Sequence, residues 1–310
     1  MLRALCCGVL TLLPACYPLV LRAASRAPVH ASHGMVVSAE SLATAAGLDV
    51  LRHGGNAVDA AVAVGFTLAV TFPEAGNLGG GGFMLIRLAN GTSTMVDFRE
   101  KAPAAATGTM YQDSTGAPIA AKSLLGPLAA GVPGTVAGLL YALGKYGTES
   151  RLEVMTRAIE IAARGFPVSR RQAESFASMN AEFGQFESTR KAFMREGRIP
   201  QEGDVLCQPD LAGTLGAIRD RGASGFYEDE TARRLVAEMR RGGGIVSLSD
   251  LVAYRALERE PVTGSYRGYG IISSALPSAG GTVLLEMVGK PSLHVIRSQT
   301  MAPIRPLRIT

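Results

Sequence analysis

A chain of 310 residues that is 47% hydrophobic and 18% charged carries ample apolar material for a buried core and is somewhat long for one average domain. The formal net charge of +5 and pI of about 9.2 invite an anionic partner, but Arg3, Arg22 and Arg26 supply three of those charges from an acid-free leader. Aromatic residues make up only 6% and Trp is absent, which excludes a base-stacking surface, so no nucleic-acid partner is expected.

Residues 1–31 read as an export signal and leader: Arg3 as a short basic start, an apolar run, then small residues around Ala23 and Ser25. Pro14 and Pro18 interrupt the run and argue against a stable spanning helix. The segment is expected to send the chain to a periplasmic or extracellular location, with membrane anchoring through an uncleaved leader, or lipidation at Cys16 in "LPAC", as the alternatives. Cys6, Cys7 and Cys16 lie in this leader, which leaves Cys207 as the only thiol of a mature chain and no internal disulfide.

The main domain is expected over residues 32–289, with a divergent tail over 290–310. Ser38 is placed to cap a helix carrying Leu42, Ala45, Ala46 and Leu51, ending at Gly54-Gly55. Asn56 caps the next helix, "AVDAAVAVGFTLAVT", with Asp59 at its third position, where a carboxylate suits the positive helix end. That helix is apolar on nearly every side and stops before Pro73, the pattern of a buried core helix. Four glycines, 79–82, follow. A phosphate loop would need a Lys and a Ser or Thr after the last glycine and then a helix, whereas here the strand-like Phe83-Met84-Leu85-Ile86 comes next. "FMLIRLA" and "TSTMVDFRE" flank Asn90-Gly91, a hairpin signal, so the glycines give a sharp turn or a close approach of backbone at the entry to the first strand. Whether they also line a pocket is left open by the spacing.

The second strand ends in "DFREKAP", 97–103. Arg99, between Asp97 and Glu100, reads from spacing as one member of a surface ion pair; the alternative is a guanidinium that clamps a substrate carboxylate with two parallel hydrogen bonds. Other candidate chemistry is thin. "HGGN" at 53–56 has no G-x-S-x-G elbow to serve, and His53 suits a helix C-terminus. His30, His33, His53 and His294 lack ligand-like spacing, so no metal site is expected. The stretch 170–198 reads as a mixed-charge, solvated helical face, and "LAGTLGAIRDRG" and "ETARRLVAEMRRGGG" as helices ending in glycine.

Read in order, "GMVVSAESLATAAGLDVLRHGGNAVDAAVAVGFTLAVTFPEAGNLGGGGFML", "DFREKAP", "GVPGTVAGL", "GDVLCQPDLAGTL", "GGGIVSLSDLVAYRALEREPVTGSYRGY" and "LPSAGG" resemble the large subunit of gamma-glutamyltransferases, also called glutathione hydrolases. Ala279 stands where that family has a second Ser. The resemblance implies an α+β fold, the αββα sandwich of N-terminal-nucleophile hydrolases, represented by its large-subunit part. It implies gamma-glutamyl compounds such as glutathione as substrates, transfer of the glutamyl group to water, amino acids or peptides, and no cofactor. It also implies a threonine nucleophile opening a small subunit, whose amine serves as base for its own hydroxyl. The residue matching Arg99 binds the α-carboxylate of the donor. Segment 290–310, with Lys290, Arg297, Arg305 and Arg308 and only Thr300 before the terminal threonine, does not resemble the cleavage site. The expectation is therefore a chain without a catalytic residue of its own, inactive alone, that works with a separately supplied small subunit or serves as a non-catalytic scaffold. The resemblance further implies sheets shared between subunits, so edge strands and the apolar helix are expected to be exposed in this chain alone.

Overall fold

The computed structural model describes residues 27–289. The expectations placed on the leader, on Cys6, Cys7 and Cys16, and on the tail with His294 and Thr300 lie outside the described residues. Compact units divide between Met35 and Val36. In the first, Ser32 Oγ lies 2.8 Å from His33 Nδ1. Among the described residues no helix is long and apolar enough to cross a membrane.

The second unit opens with α1, Ser41–Arg52. Its cap is Glu40 and not Ser38: the Glu40 carboxylate accepts from Ala43 N at 3.0 Å. Ser38 instead ties the preceding turn, donating to Glu40 O at 2.8 Å and sitting 2.7 Å from Thr44 Oγ1. The longer carboxylate reaches the orphan N–H that the serine, two residues too early, does not meet. At the other end His53 occupies the C-cap, its Nδ1 2.7 Å from Asp49 O.

The next helix, α2, spans Ala57–Thr71. Asn56 Oδ1 accepts from Val58 N and Asp59 N, and Asp59 Oδ2 accepts from Asn56 N at 2.8 Å, a capping box as the sequence pattern predicts. Asp59 does more than cap. Fully buried, it also accepts from Thr148 N and Oγ1 at 2.9 and 2.8 Å and from Glu149 N at 3.1 Å. One carboxylate thus joins the start of α2 to the loop between helices Thr135–Tyr146 and Arg151–Arg164. Gly147 is required there because a Cβ would fall on Asp59 Oδ1. Burial by itself pushes the Asp59 carboxyl up, but the donors from Asn56, Thr148 and Glu149 outweigh it and hold it below the usual carboxylate range.

α2 packs against α1 and both of those helices, with Val62, Phe66 and Val70 fully enclosed. The expectation that this helix would show an apolar patch is not met, because three neighbouring helices already cover it. Exposed apolar side chains lie elsewhere, at Leu276, Val283, Leu284 and Met287 and on edge strands at Leu85 and Leu257.

Strands β1, Phe83–Arg87, and β2, Ser93–Asp97, pair antiparallel in the register Phe83↔Asp97 to Arg87↔Ser93. Their turn is longer than a two-residue hairpin. Leu88 N bonds Thr92 O at 2.8 Å, and Gly91 takes a φ of +88° as the left-handed residue that closes a three-residue loop. The strand Leu257–Arg259 pairs on the far side of β2, which becomes the centre of a three-stranded sheet with Met95 and Val96 fully buried. Phe166–Pro167 pairs with Val205–Leu206, and the hairpin Val262–Tyr266 with Tyr269–Ser273 is packed by helix Ala279–Gly289. The 170–198 stretch differs from the solvated face expected of it. It breaks into three short helices whose Phe176, Phe183 and Phe193 rings cluster at 5.5–5.9 Å, since those aromatics gain more from each other than from water.

Because the folded Asp59 titrates below its unfolded value, its contribution to stability is complete above the unfolded value. It is lost as pH falls through the folded one. Asp59→Asn turns one acceptor toward the clustered N–H groups into a donor and is expected to cost about 1–3 kcal/mol at neutral pH. Urea melts from pH 3 to 7 check this: the substitution should lower stability at pH 7 and flatten its fall in acid, and an unchanged midpoint at pH 7 would refute the assignment.

Candidate functional site

β2 runs straight into Phe98-Arg99-Glu100-Lys101. Phe98 continues the pairing with the glycine run, its N–H and C=O bonding Gly82 at 3.0 and 3.2 Å. None of glycines 79–82 adopts a left-handed φ, so their role is close approach and not an unusual turn. A Cβ on Gly81 would stand 2.5 Å from Phe98 O and 2.8 Å from Glu100 N. On the opposite side Lys101 pairs with Val132 at 3.2 and 2.8 Å, and Gly131 lies so near that its Cβ would be 2.9 Å from Glu100 Cβ. Gly80 O joins the two flanks by accepting from Gly134 N and Thr135 N at 2.8 and 3.0 Å. Those amides open helix Thr135–Tyr146 and are spent on backbone, which agrees with reading no anion loop here.

Arg99 sits exposed at the end of this clamped segment. The ion pair anticipated from its acidic neighbours does not form. Asp97 is buried and its Oδ2 accepts from Arg259 Nε at 2.7 Å, while Oδ1 accepts from the backbone N–H of Arg99 at 3.1 Å. Among the described residues no carboxylate pairs with the Arg99 guanidinium, which donates through Nη1 to Pro277 O at 3.1 Å. One side-chain N–H is engaged of the five a guanidinium owns, so its fork can still meet a planar anion. The cation that neutralises Asp97 arrives through strand pairing, Met95↔Arg259. Nothing near Asp97 in the sequence signals it.

Other groups are not gathered into chemistry. Among the described residues no set of three His, Cys, Asp or Glu side chains could hold a metal ion. Cys207 is a free thiol, 3.5 Å from Arg164 O. A cleft of about 590 Å³ between α1 and helix Arg151–Arg164 is rimmed by Asp49, His53 and Glu153 and does not include Arg99.

The gamma-glutamyltranspeptidase family model matches residues 43–296. The chain belongs to that family. It is 48% identical over 269 residues to a glutathione hydrolase proenzyme of Pseudomonas sp. strain A14, covering 86% of this chain and 47% of that protein. It is 47% identical over 262 residues to the Escherichia coli K12 glutathione hydrolase proenzyme, covering 84% of this chain and 45% of that protein. The crystal structure of Helicobacter pylori gamma-glutamyltranspeptidase superposes with a TM-score of 0.83 at 46% identity, over 84% of this chain and 75% of the other. The mixed helix-and-sheet architecture is therefore the family's N-terminal-nucleophile hydrolase sandwich, in part. The chain spans about half the length of these curated relatives.

The clamp around Arg99 makes a sharp contrast testable. Gly81→Ala must push backbone away from backbone and is expected to destabilise by about 1–3 kcal/mol. Gly79→Ala, whose Cβ would meet only Asn77 Oδ1 at 3.7 Å, should be close to neutral. Thermal melts of the two variants check this, and equal effects would show that the close approach at Gly81 carries no special weight.

Proposed function

We propose that this chain forms the large-subunit part of an exported gamma-glutamyl-transferring enzyme in which Arg99 binds the α-carboxylate of a donor such as glutathione. The observation that carries the reading is an exposed guanidinium without a carboxylate partner among the described residues, at the end of a strand whose backbone is clamped on both sides. The names of the relatives, glutathione hydrolase proenzymes, support the same substrate class and a protein that matures into parts.

In this reading the planar fork grips both carboxylate oxygens and fixes the near end of the donor. A donor held at that end presents its gamma-amide carbonyl in one place, so the gain is one of orientation. The attacking threonine belongs to the small-subunit part. Its hydroxyl adds to the amide carbonyl, its own amine takes the proton and passes it to the departing amine, and the resulting ester is opened by water or by the amine of an amino acid or peptide. Arg99 touches the donor but no bond that breaks. Export through the leader belongs to the same proposal and matches a substrate met outside the cytoplasm.

Arg99→Lys tests it. In the assembled enzyme, this chain together with its nucleophile-bearing part, a point charge replaces the fork and the lost bonds are worth about 1.5–3 kcal/mol. Release of a chromogenic amine from a gamma-glutamyl anilide should then show KM raised roughly ten- to hundredfold, a range set by tenfold per 1.4 kcal/mol. A kcat/KM within a factor of about two of the parent would refute the carboxylate role.

A further inference from the structure

The peptide that carries Arg99 is held at both ends. Its N–H donates to Asp97 Oδ1, and its C=O accepts from the Tyr254 hydroxyl at 2.8 Å. Arg99 is exposed and its guanidinium holds a single hydrogen bond among the described residues, to Pro277 O, so the backbone sets the origin and direction from which the side chain leaves the strand. Tyr254 is built for that contact. It is 4% exposed, and its ring lies parallel to that of Tyr227 with centroids 6.0 Å apart and planes 4° from parallel. Tyr227 in turn donates to Pro133 O at 3.0 Å and accepts from Ala137 N at 3.2 Å, which fixes the stack to the start of helix Thr135–Tyr146. The Lys101 ammonium caps the Tyr254 ring at 5.0 Å and donates to Arg255 O at 3.0 Å. A Cβ on Gly134 would collide with both Phe98 O and the Tyr254 hydroxyl, so the bare backbone there leaves room for the hydroxyl beside the strand end. Burial, with Asp97 and Glu100 nearby, pushes the phenol well above its ordinary range, and the hydroxyl remains a donor throughout the working pH range.

We propose that Tyr254 is a positioning residue for donor binding, its hydroxyl fixing the Arg99 carbonyl so that the guanidinium is aimed at the donor's α-carboxylate. The proposal rests on the carboxylate-binding reading of Arg99. Tyr254 touches neither the donor nor the nucleophile and acts through the peptide alone.

The test is a double-substitution cycle in the assembled enzyme, with the gamma-glutamyl anilide as donor. Tyr254→Phe keeps the ring, its stack on Tyr227 and the Lys101 contact and removes only the hydroxyl. KM is expected to rise about three- to tenfold with kcat within a factor of about two, because orientation of the bound end is loosened and the chemistry is not. Adding Tyr254→Phe to Arg99→Lys should cost little more than Arg99→Lys alone, since aiming a fork that is no longer there gains nothing. An unchanged KM, a fall in kcat at constant KM, or penalties that multiply in the double variant would overturn the proposal and reduce Tyr254 to a packing residue. If Arg99→Lys alone has no effect, the carboxylate reading itself falls and takes the proposal with it, a result the single variant distinguishes.

Discussion

The structure depends on how closely backbone approaches backbone around residues 97–101. The strand end is bonded to Gly82 on one side and to Val132 on the other, and Gly80 links those flanks to the first amides of helix Thr135–Tyr146. Side chains at residues 81, 131 or 134 would force these segments apart. A hydrogen bond between backbones contributes only about 0.5–1.5 kcal/mol, but here each one also excludes an alternative path for the strand. The outcome is an arginine whose guanidinium holds a single hydrogen bond among the described residues, to Pro277 O, and whose backbone is clamped. That combination suits recognition: the guanidinium approaches an anion from a fixed origin without the cost of ordering a loop.

A second constraint works at the other end of the same helical layer. Asp59 is buried with no cation opposite it among the described residues, and four donors, the N–H groups of Asn56, Thr148 and Glu149 and the Thr148 hydroxyl, take the place of a cation. A carboxylate saturated in this way keeps its charge in the interior. Asp97 solves the same problem differently, through the Arg259 guanidinium and one backbone N–H. Losing either arrangement would leave a buried charge uncompensated, which is where large destabilisation comes from.

Local physics made much of the helical layer legible in the sequence. Asn56 and Asp59 are three residues apart and form their box unaided, and Gly91 and Gly222 mark the turn and helix end where a positive φ is needed. Ser38 misled because a serine two residues upstream looks like a cap, while the longer Glu40 side chain does the capping. The glycine run announced that bare backbone was required but not what it approaches, since Phe98, Glu100 and Gly134 reach it only in the folded chain. The partners of the site were the least legible. Arg259 lies 162 residues from Asp97 and Tyr254 lies 155 from Arg99, separations across which no periodicity or spacing carries information. Arg99 itself was singled out by resemblance; its spacing between two acids pointed to an ion pair that the pairing of buried Asp97 with Arg259 pre-empts.

The most direct measurement is a crystal structure of the assembled enzyme with L-glutamate bound. The account predicts that the Arg99 guanidinium leaves Pro277 O and meets both oxygens of the α-carboxylate at about 2.7–2.9 Å, with its carbonyl still on the Tyr254 hydroxyl. A carboxylate held by other groups while Arg99 stays on Pro277 O would contradict it.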